Sequence, residues 1–228
     1  MLMKTYKKIG IIGAMDVEVA GIVQAMSGRV VTNIGRSEFY AGRIADMETV
    51  AVQSGVGKVN AAFAAATLAY KFAVDTILMT GIAGGIGGGL KALDAFVPDG
   101  LVQHDVSMIG CEDGHIDLVD ETVIRTDAKL SDLLARIGGA KRGVMATGEQ
   151  FVDSAEQIAA IRAKFPAAVA VDMEAAAVAQ VCARLGLPFA CLKVISDDGT
   201  SGETYYDFKT AAAEKAVGAV QALIIGEL

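Results

Sequence analysis

The sequence predicts one α/β domain, and three features predict it. Short apolar runs alternate with stretches of helical spacing along the whole chain. No linker, repeat or low-complexity segment divides its 228 residues, a length that suits one large core better than two. The chain is 53% hydrophobic, with 26 glycines and no tryptophan, as buried strands under tightly packed Ala-rich helices require.

The elements follow in order. Residues 8–14 read as a buried strand, and 16–26 as a helix whose early Asp16 and Glu18 complement its dipole. Three alternating runs at 29–34, 38–44 and 49–53 read as an antiparallel meander. Ser54-Gly55-Val56-Gly57-Lys58 is a turn into an Ala-rich helix over 58–71, and 75–81 is a buried strand running into the glycine-rich 81–89. A strand at 95–103 leads to a polar loop over 104–120, then a helix at 128–137, a strand at 142–147 and a helix at 154–164. The strand 167–172 feeds a helix over 173–185, closed by Gly186 and Pro188; a strand at 189–196 and an amphipathic helix at 208–225 complete the chain.

Composition excludes several function classes. A net charge of −7 with no basic cluster argues against nucleic-acid binding. The mean hydropathy of +0.46 is high, yet the charge-free stretches 76–90 and 59–70 are too short or too glycine-rich to span a bilayer. Lys4, Lys7 and Lys8 precede an apolar run, but Asp16 and Glu18 cut it off and no small-residue cleavage site follows, so the chain reads as cytoplasmic. Cys111, Cys182 and Cys191 lack CxxC spacing, against a disulfide framework or a zinc knuckle. The apolar excess suggests surface buried between subunits.

Three acids stand out. Val171-Asp172-Met173-Glu174-Ala175-Ala176 places Glu174 at the mouth of a helix, Ile195-Ser196-Asp197 places Asp197 at the end of the next apolar run, and Glu18 follows the first. Each alone fits helix-dipole or turn chemistry. Together they mark strand ends, where open α/β sheets bind ligands. Other motifs fail. No G-x-G-x-x-G is present, and Gly55-Val56-Gly57-Lys58 lacks the first glycine and final hydroxyl of a P-loop. His104, Asp105, Cys111, Glu112, Asp113 and His115 match no metal-ligand spacing, and no Gly-x-Ser-x-Gly elbow occurs.

Five motifs in register carry a resemblance. Gly10-Ile11-Ile12-Gly13-Ala14-Met15 with Glu18, Ser54-Gly55-Val56-Gly57-Lys58-Val59-Asn60-Ala61-Ala62, Thr80-Gly81-Ile82-Ala83-Gly84-Gly85, Val171-Asp172-Met173-Glu174-Ala175 and Ile195-Ser196-Asp197 resemble the 5′-methylthioadenosine/S-adenosylhomocysteine nucleosidases of the nucleoside phosphorylase superfamily. The similarity runs from Ile9 to the last helix. It implies a three-layer fold, with a central twisted mixed sheet flanked by helices. It also implies a homodimer and irreversible cleavage of an adenine–ribose bond without metal or cofactor. By position, Asp197 is similar to the acid that protonates adenine N7, and Glu18 to the base that activates water. The resemblance further implies Met173 and Glu174 as ribose contacts, Phe151 stacked on adenine, the Val152 backbone on its Watson–Crick edge, and Gly84 in the purine pocket. For the 5′-substituent pocket it implies Met15, Val56 and Tyr205, with Val106 and Ile109 reaching into the partner's.

The chemistry agrees with these residue types. Adenine leaves poorly until a ring nitrogen is protonated, so an acid must be held neutral beside it, by burial or a neighbour's hydrogen bond. Departure leaves an oxocarbenium-like ribose that nearby anions stabilise and water captures, as in glycoside hydrolysis by paired carboxyl groups. Two positions depart from the family pattern: Ile82 replaces a usual serine, and Lys193 a common arginine, whose planar fork lysine does not reproduce. Three rival activities follow. Phosphorolysis needs cations converging on the anion, where this chain has Ala14, Met15 and Thr80. Hydrolysis of aminofutalosine differs only in the 5′ group. A weakly catalytic nucleoside-binding module is suggested by Ile82 and Lys193 and opposed by the three acids.

Overall fold

The computed structural model describes residues 6–197 and 202–228; Lys4, noted in the sequence, lies outside the described residues. The elements are β1 (Lys8–Gly13), α1 (Asp16–Ala25), β2 (Ser27–Ile34), β3 (Ser37–Ile44), β4 (Met47–Gln53), α2 (Lys58–Phe72), β5 (Thr76–Gly85), β6 (Ala95–Gln103), β7 (Ile124–Arg125), α3 (Ala128–Gly138), β8 (Lys141–Thr147), α4 (Ala155–Lys164), β9 (Ala168–Asp172), α5 (Ala175–Leu185), β10 (Phe189–Asp197) and α6 (Gly202–Gly226).

The strands form one mixed sheet, ordered β10-β6-β8-β9-β5-β1-β4-β3-β2, with β7 beside β6. β10 also pairs β5 in parallel, so β5, β9, β8, β6 and β10 close into a ring. Beyond that ring β1 lies parallel to β4 and β5, and β2, β3 and β4 form the antiparallel meander read from the sequence.

Alternation builds a core on each face. In β1, Ile9 and Ile11 turn toward one cluster and Ile12 toward the other; in β10, Ala190, Leu192 and Val194 oppose Phe189, Cys191 and Ile195. One face is covered by α2 and α5, the other by α1, α3 and α6. The buried residues of α2, Ala61, Ala64, Ala65 and Leu68, recur at one helical face, and small side chains let it lie close to α5. Caps set the ends: the Asp127 side chain accepts from Leu130 N at the start of α3, and Gly186 closes α5 in a left-handed turn.

Three boundaries and one short strand differ from expectation. β5 does not end at Gly81 but runs through the glycines to Gly85, because Gly84 and Gly85 pair with Val171 and Ala170 of β9. The last helix starts at Gly202 rather than 208. α5 starts at Ala175 rather than 173, so Glu174 precedes its first turn instead of lying within it. The two-residue β7 is too short to leave a periodic signal.

Candidate active site

Ring closure brings the carboxyl ends of β5 and β10 beside the end of β9 and the turn after β1. There the chain leaves an open cleft. Its wall includes Glu18, Glu174 and Asp197, the three acids singled out in the sequence. Met15, Val56, Gly84, Phe151, Val152, Met173 and Tyr205 line the same cleft. Val106 and Ile109 do not: Val106 packs half-buried against the core, and Ile109 stands fully exposed on the loop. These two therefore contribute nothing to the cleft of their own chain.

Glu18 is 1% exposed and lies in the first turn of α1. Its Oε2 accepts the amides of Ala14 (2.7 Å) and Met15 (2.9 Å), and its Oε1 accepts that of Ile82 (2.9 Å). Three donors hold the carboxylate by its charge and fix its direction. The strand carrying Ile82 must come very close, and glycine permits it: a Cβ on Gly81 would sit 2.4 Å from Glu18 Oε1. Ile82 serves Glu18 through its backbone, which any residue supplies, while its side chain adds an apolar wall to the cleft.

Asp197 is buried at the end of β10, where its Oδ2 accepts from Ser196 Oγ at 2.7 Å. A side chain at position 84 would press on Asp197 Oδ1, so Gly84 leaves room for the acid. The aromatic end of the cleft is joined up: Phe151 and Tyr205 meet edge to face at 5.2 Å, and Tyr205 Oη lies 3.6 Å from Met15 Sδ.

Glu174 is held from outside its own segment, its Oε1 accepting from Gly57 N at 3.0 Å. Behind it lies Lys193, fully buried, with Nζ 3.1 Å from Asp172 Oδ2 and 3.9 Å from Glu174 Oε2. These are ion-pair distances without good hydrogen-bond angles, so the attraction is chiefly coulombic. Asp172 is itself anchored, its Oδ1 accepting from Thr147 Oγ1 (2.6 Å) and its Oδ2 from Ala175 N (3.0 Å). Burial pushes Glu174 up to about 7; Lys193 and the Gly57 amide oppose the shift, and Asp172 and Glu18 add to it. Burial disfavours the Lys193 charge too, but Asp172 and then Glu174 outweigh it and hold the ammonium above the ordinary lysine range. Lys193→Met would leave two buried carboxylates without their cation, and a stability loss of about 3–5 kcal/mol is expected in chemical denaturation. A loss below about 1 kcal/mol would mean that the pair carries no such burden.

Sequence reasoning missed Ala14, Gln150, Ser196 and Asp172 as parts of the wall, although all four adjoin residues it chose. It also missed Gly57, whose contact with Glu174 spans 117 residues. Among the described residues, no group of three His, Cys, Asp or Glu side chains is placed to hold a metal ion, and no helix is long and apolar enough to cross a membrane.

The sequence profile of the phosphorylase superfamily matches residues 8–226. The chain belongs to that family. Within it, the chain is similar to a 5′-methylthioadenosine/S-adenosylhomocysteine nucleosidase from Haemophilus influenzae, with 35% identity over 95% of this chain and 98% of the relative. Among solved structures it is similar to the Neisseria meningitidis 5′-methylthioadenosine/S-adenosylhomocysteine nucleosidase in complex with methylthio-immucillin-A (TM-score 0.93, 33% identity, 97% of this chain and 100% of that one). It is also similar to the futalosine hydrolase of Helicobacter pylori (TM-score 0.91, 30% identity, 97% and 98% covered). These superfamily likenesses extend over the whole sheet, including every strand end that faces the cleft.

Proposed function

We propose that this chain is an N-ribosyl hydrolase. It cleaves 5′-methylthioadenosine, S-adenosylhomocysteine and related 5′-substituted adenosines to adenine and the 5′-substituted ribose. The observation that carries this reading is the convergence of Glu18, Glu174 and Asp197 on one cleft with an aromatic end. Phe151 stacks on adenine, the Val152 backbone meets its Watson–Crick edge, and Gly84 leaves space beside it. Asp197 gives its proton to N7 as the C1′–N9 bond breaks and its electron pair passes to the base. Glu174 accepts the 2′- and 3′-hydroxyls beside Met173, and its charge favours the cationic sugar. Water bonds to C1′ and loses its proton to Glu18. Met15, Val56 and Tyr205 enclose the 5′ group.

Water rather than phosphate suits this cleft. Among the described residues no arginine or lysine lines it, and Lys193 behind it is engaged by Asp172. Adenine release from methylthioadenosine, S-adenosylhomocysteine, 5′-deoxyadenosine and aminofutalosine, each with and without phosphate, tests the reading. Adenine is expected from the first two without phosphate. Strict phosphate dependence, or no adenine from any of the four, would overturn it. Aminofutalosine belongs in the comparison as a second reading, since the likeness to a futalosine hydrolase is nearly as close in fold.

The pH profile follows from Glu174. Lys193, Asp172 and Glu18 face it from β10, β9 and α1, and the Gly57 amide from the start of α2. Only the ionised carboxylate accepts both hydroxyls, so kcat/KM is expected to fall as the pH drops through about 7. Glu174→Gln should flatten that limb while lowering kcat/KM throughout; an unchanged limb in the variant would assign it to another group.

The enzyme works as a homodimer in this reading. Val59, Phe63 and Tyr70 stand exposed on the outer side of α2, opposite its buried alanines, and Ile109 stands exposed on its loop. Val106 and Ile109 would then serve the partner's 5′ pocket. Light scattering is expected to give about twice the 23.5 kDa chain mass; a monomer at micromolar concentration would contradict it. Methionine salvage in the cytoplasm is the setting that suits such substrates, and three free cysteines fit a reducing compartment.

A further inference from the structure

The helix α2 begins at Gly57, which has φ +101 and no side chain to cap the first amides. Two carboxylates from distant segments take them instead. Glu174 accepts Gly57 N at 3.0 Å, and Glu149 Oε1 accepts Lys58 N at 2.8 Å. The φ of Gly57 favours glycine, and a Cβ there, 2.7 Å from Glu149 Oε2, would displace the Glu149 carboxylate.

The Lys58 side chain closes a ring around this point. Its Nζ reaches Asp105 Oδ1 at 2.6 Å and Gln103 Oε1 at 3.0 Å, just past and at the end of β6. Asp105 Oδ2 in turn accepts Glu149 N at 2.9 Å. Lys58, Asp105 and Glu149 thus tie three segments that lie 47, 44 and 91 residues apart. Gln103 extends the tie to α5 by donating from Nε2 to Gln180 Oε1 at 2.7 Å. The side chains of Asp105 and Lys58 are 24% and 17% exposed, although Asp105 as a whole residue is exposed, so the pair is only partly protected from screening. Burial works against the Asp105 charge, but the Lys58 ammonium and the Glu149 amide hold its carboxyl below the ordinary range.

None of the three touches the cleft, yet Glu149 and Lys58 each adjoin a residue that does or that holds one, and Asp105 binds both of them. Glu149 precedes Gln150, Phe151 and Val152, a stretch without helix or strand that forms the purine end. Lys58 follows Gly57, which holds Glu174, and Val56, which lines the 5′ end. The ring therefore links the base-binding loop and the sugar-binding carboxylate through one helix start.

We propose that Lys58, with Asp105 and Glu149, is a positioning cluster that sets the purine loop and Glu174 at a fixed separation for the nucleoside. This role rests on the nucleosidase reading. Loss of the ring should loosen both ends of the substrate together, so the cost falls mainly on KM. It should also weaken the Gly57 contact that keeps Glu174 ionised, moving the acid limb of kcat/KM to higher pH.

The test compares Lys58→Met, Lys58→Arg and Asp105→Asn with the parent chain, by methylthioadenosine kinetics across pH and by melting temperature. Lys58→Met and Asp105→Asn are expected to raise KM at least about tenfold while kcat changes less, since each removes a charge-assisted hydrogen bond. Their acid limb moves upward, melting stays cooperative, and arginine at 58 recovers most of the loss. A KM within twofold of the parent in both variants would overturn the role. So would a loss carried by kcat alone, or one that follows unfolding and is not recovered by arginine. A parent chain that released no adenine would overturn the nucleosidase reading itself, a result distinguishable from any of these.

Discussion

Asp197→Asn is expected to lower kcat for methylthioadenosine by about 10²–10⁴-fold, the usual contribution of a positioned general acid. The substitution keeps the size of the side chain and an oxygen able to accept from Ser196 Oγ, so folding and nucleoside binding should change little. In the proposed mechanism, what disappears is the proton that turns adenine into a leaving group. Adenine release at saturating substrate, set beside the dissociation constant from calorimetry, separates the two effects. Turnover near the parental rate would remove Asp197 from the chemistry.

Glu18→Gln is the second large effect, and it reaches both rate and stability. Three amide donors, from Ala14, Met15 and Ile82, converge on the two carboxylate oxygens. Whichever way a glutamine amide is turned, its NH₂ faces at least one of those donors. An unmatched buried donor costs about 1–3 kcal/mol, so a lower melting temperature is expected alongside a kcat loss of about 10²–10⁴-fold from the missing base. Glu18→Asp separates the causes, because it keeps the charge but withdraws the carboxylate by one methylene. A glutamine variant with parental rate and stability would contradict both parts.

Most of the fold was legible because its signal is local. The runs around Ile9, Leu78 and Cys191 are buried on both faces, and the alanines of α2 recur with helical period. The boundaries that moved depend on distant partners. Gly81, Gly84 and Gly85 are poor strand formers, and the stretch is strand because β10 and β9 pair with it. Glu174 looked like an acid in a first turn, but Asp172 does the capping there by accepting from Ala175 N, which frees Glu174 to face the cleft.

The site divides in the same way. Glu18, Glu174 and Asp197 were legible because each follows a buried strand, and the five motifs gave them roles. The supports of these acids were not. Gly57 under Glu174, the Ile82 amide on Glu18 and the ring through Lys58 and Asp105 join residues far apart in sequence, and hydrogen bonds of that kind leave no periodicity. Val106 and Ile109 were chosen for a partner's 5′ pocket, and neither lines the cleft of its own chain.

The most direct test is a crystal structure of this chain with an uncleavable 5′-methylthio analogue of adenosine. The expected result places Asp197 on N7, Glu174 on the 2′- and 3′-hydroxyls and Glu18 on a water below C1′, each within about 3.2 Å. An analogue seated in this cleft with any of the three acids out of reach, or bound elsewhere on the chain, would contradict it.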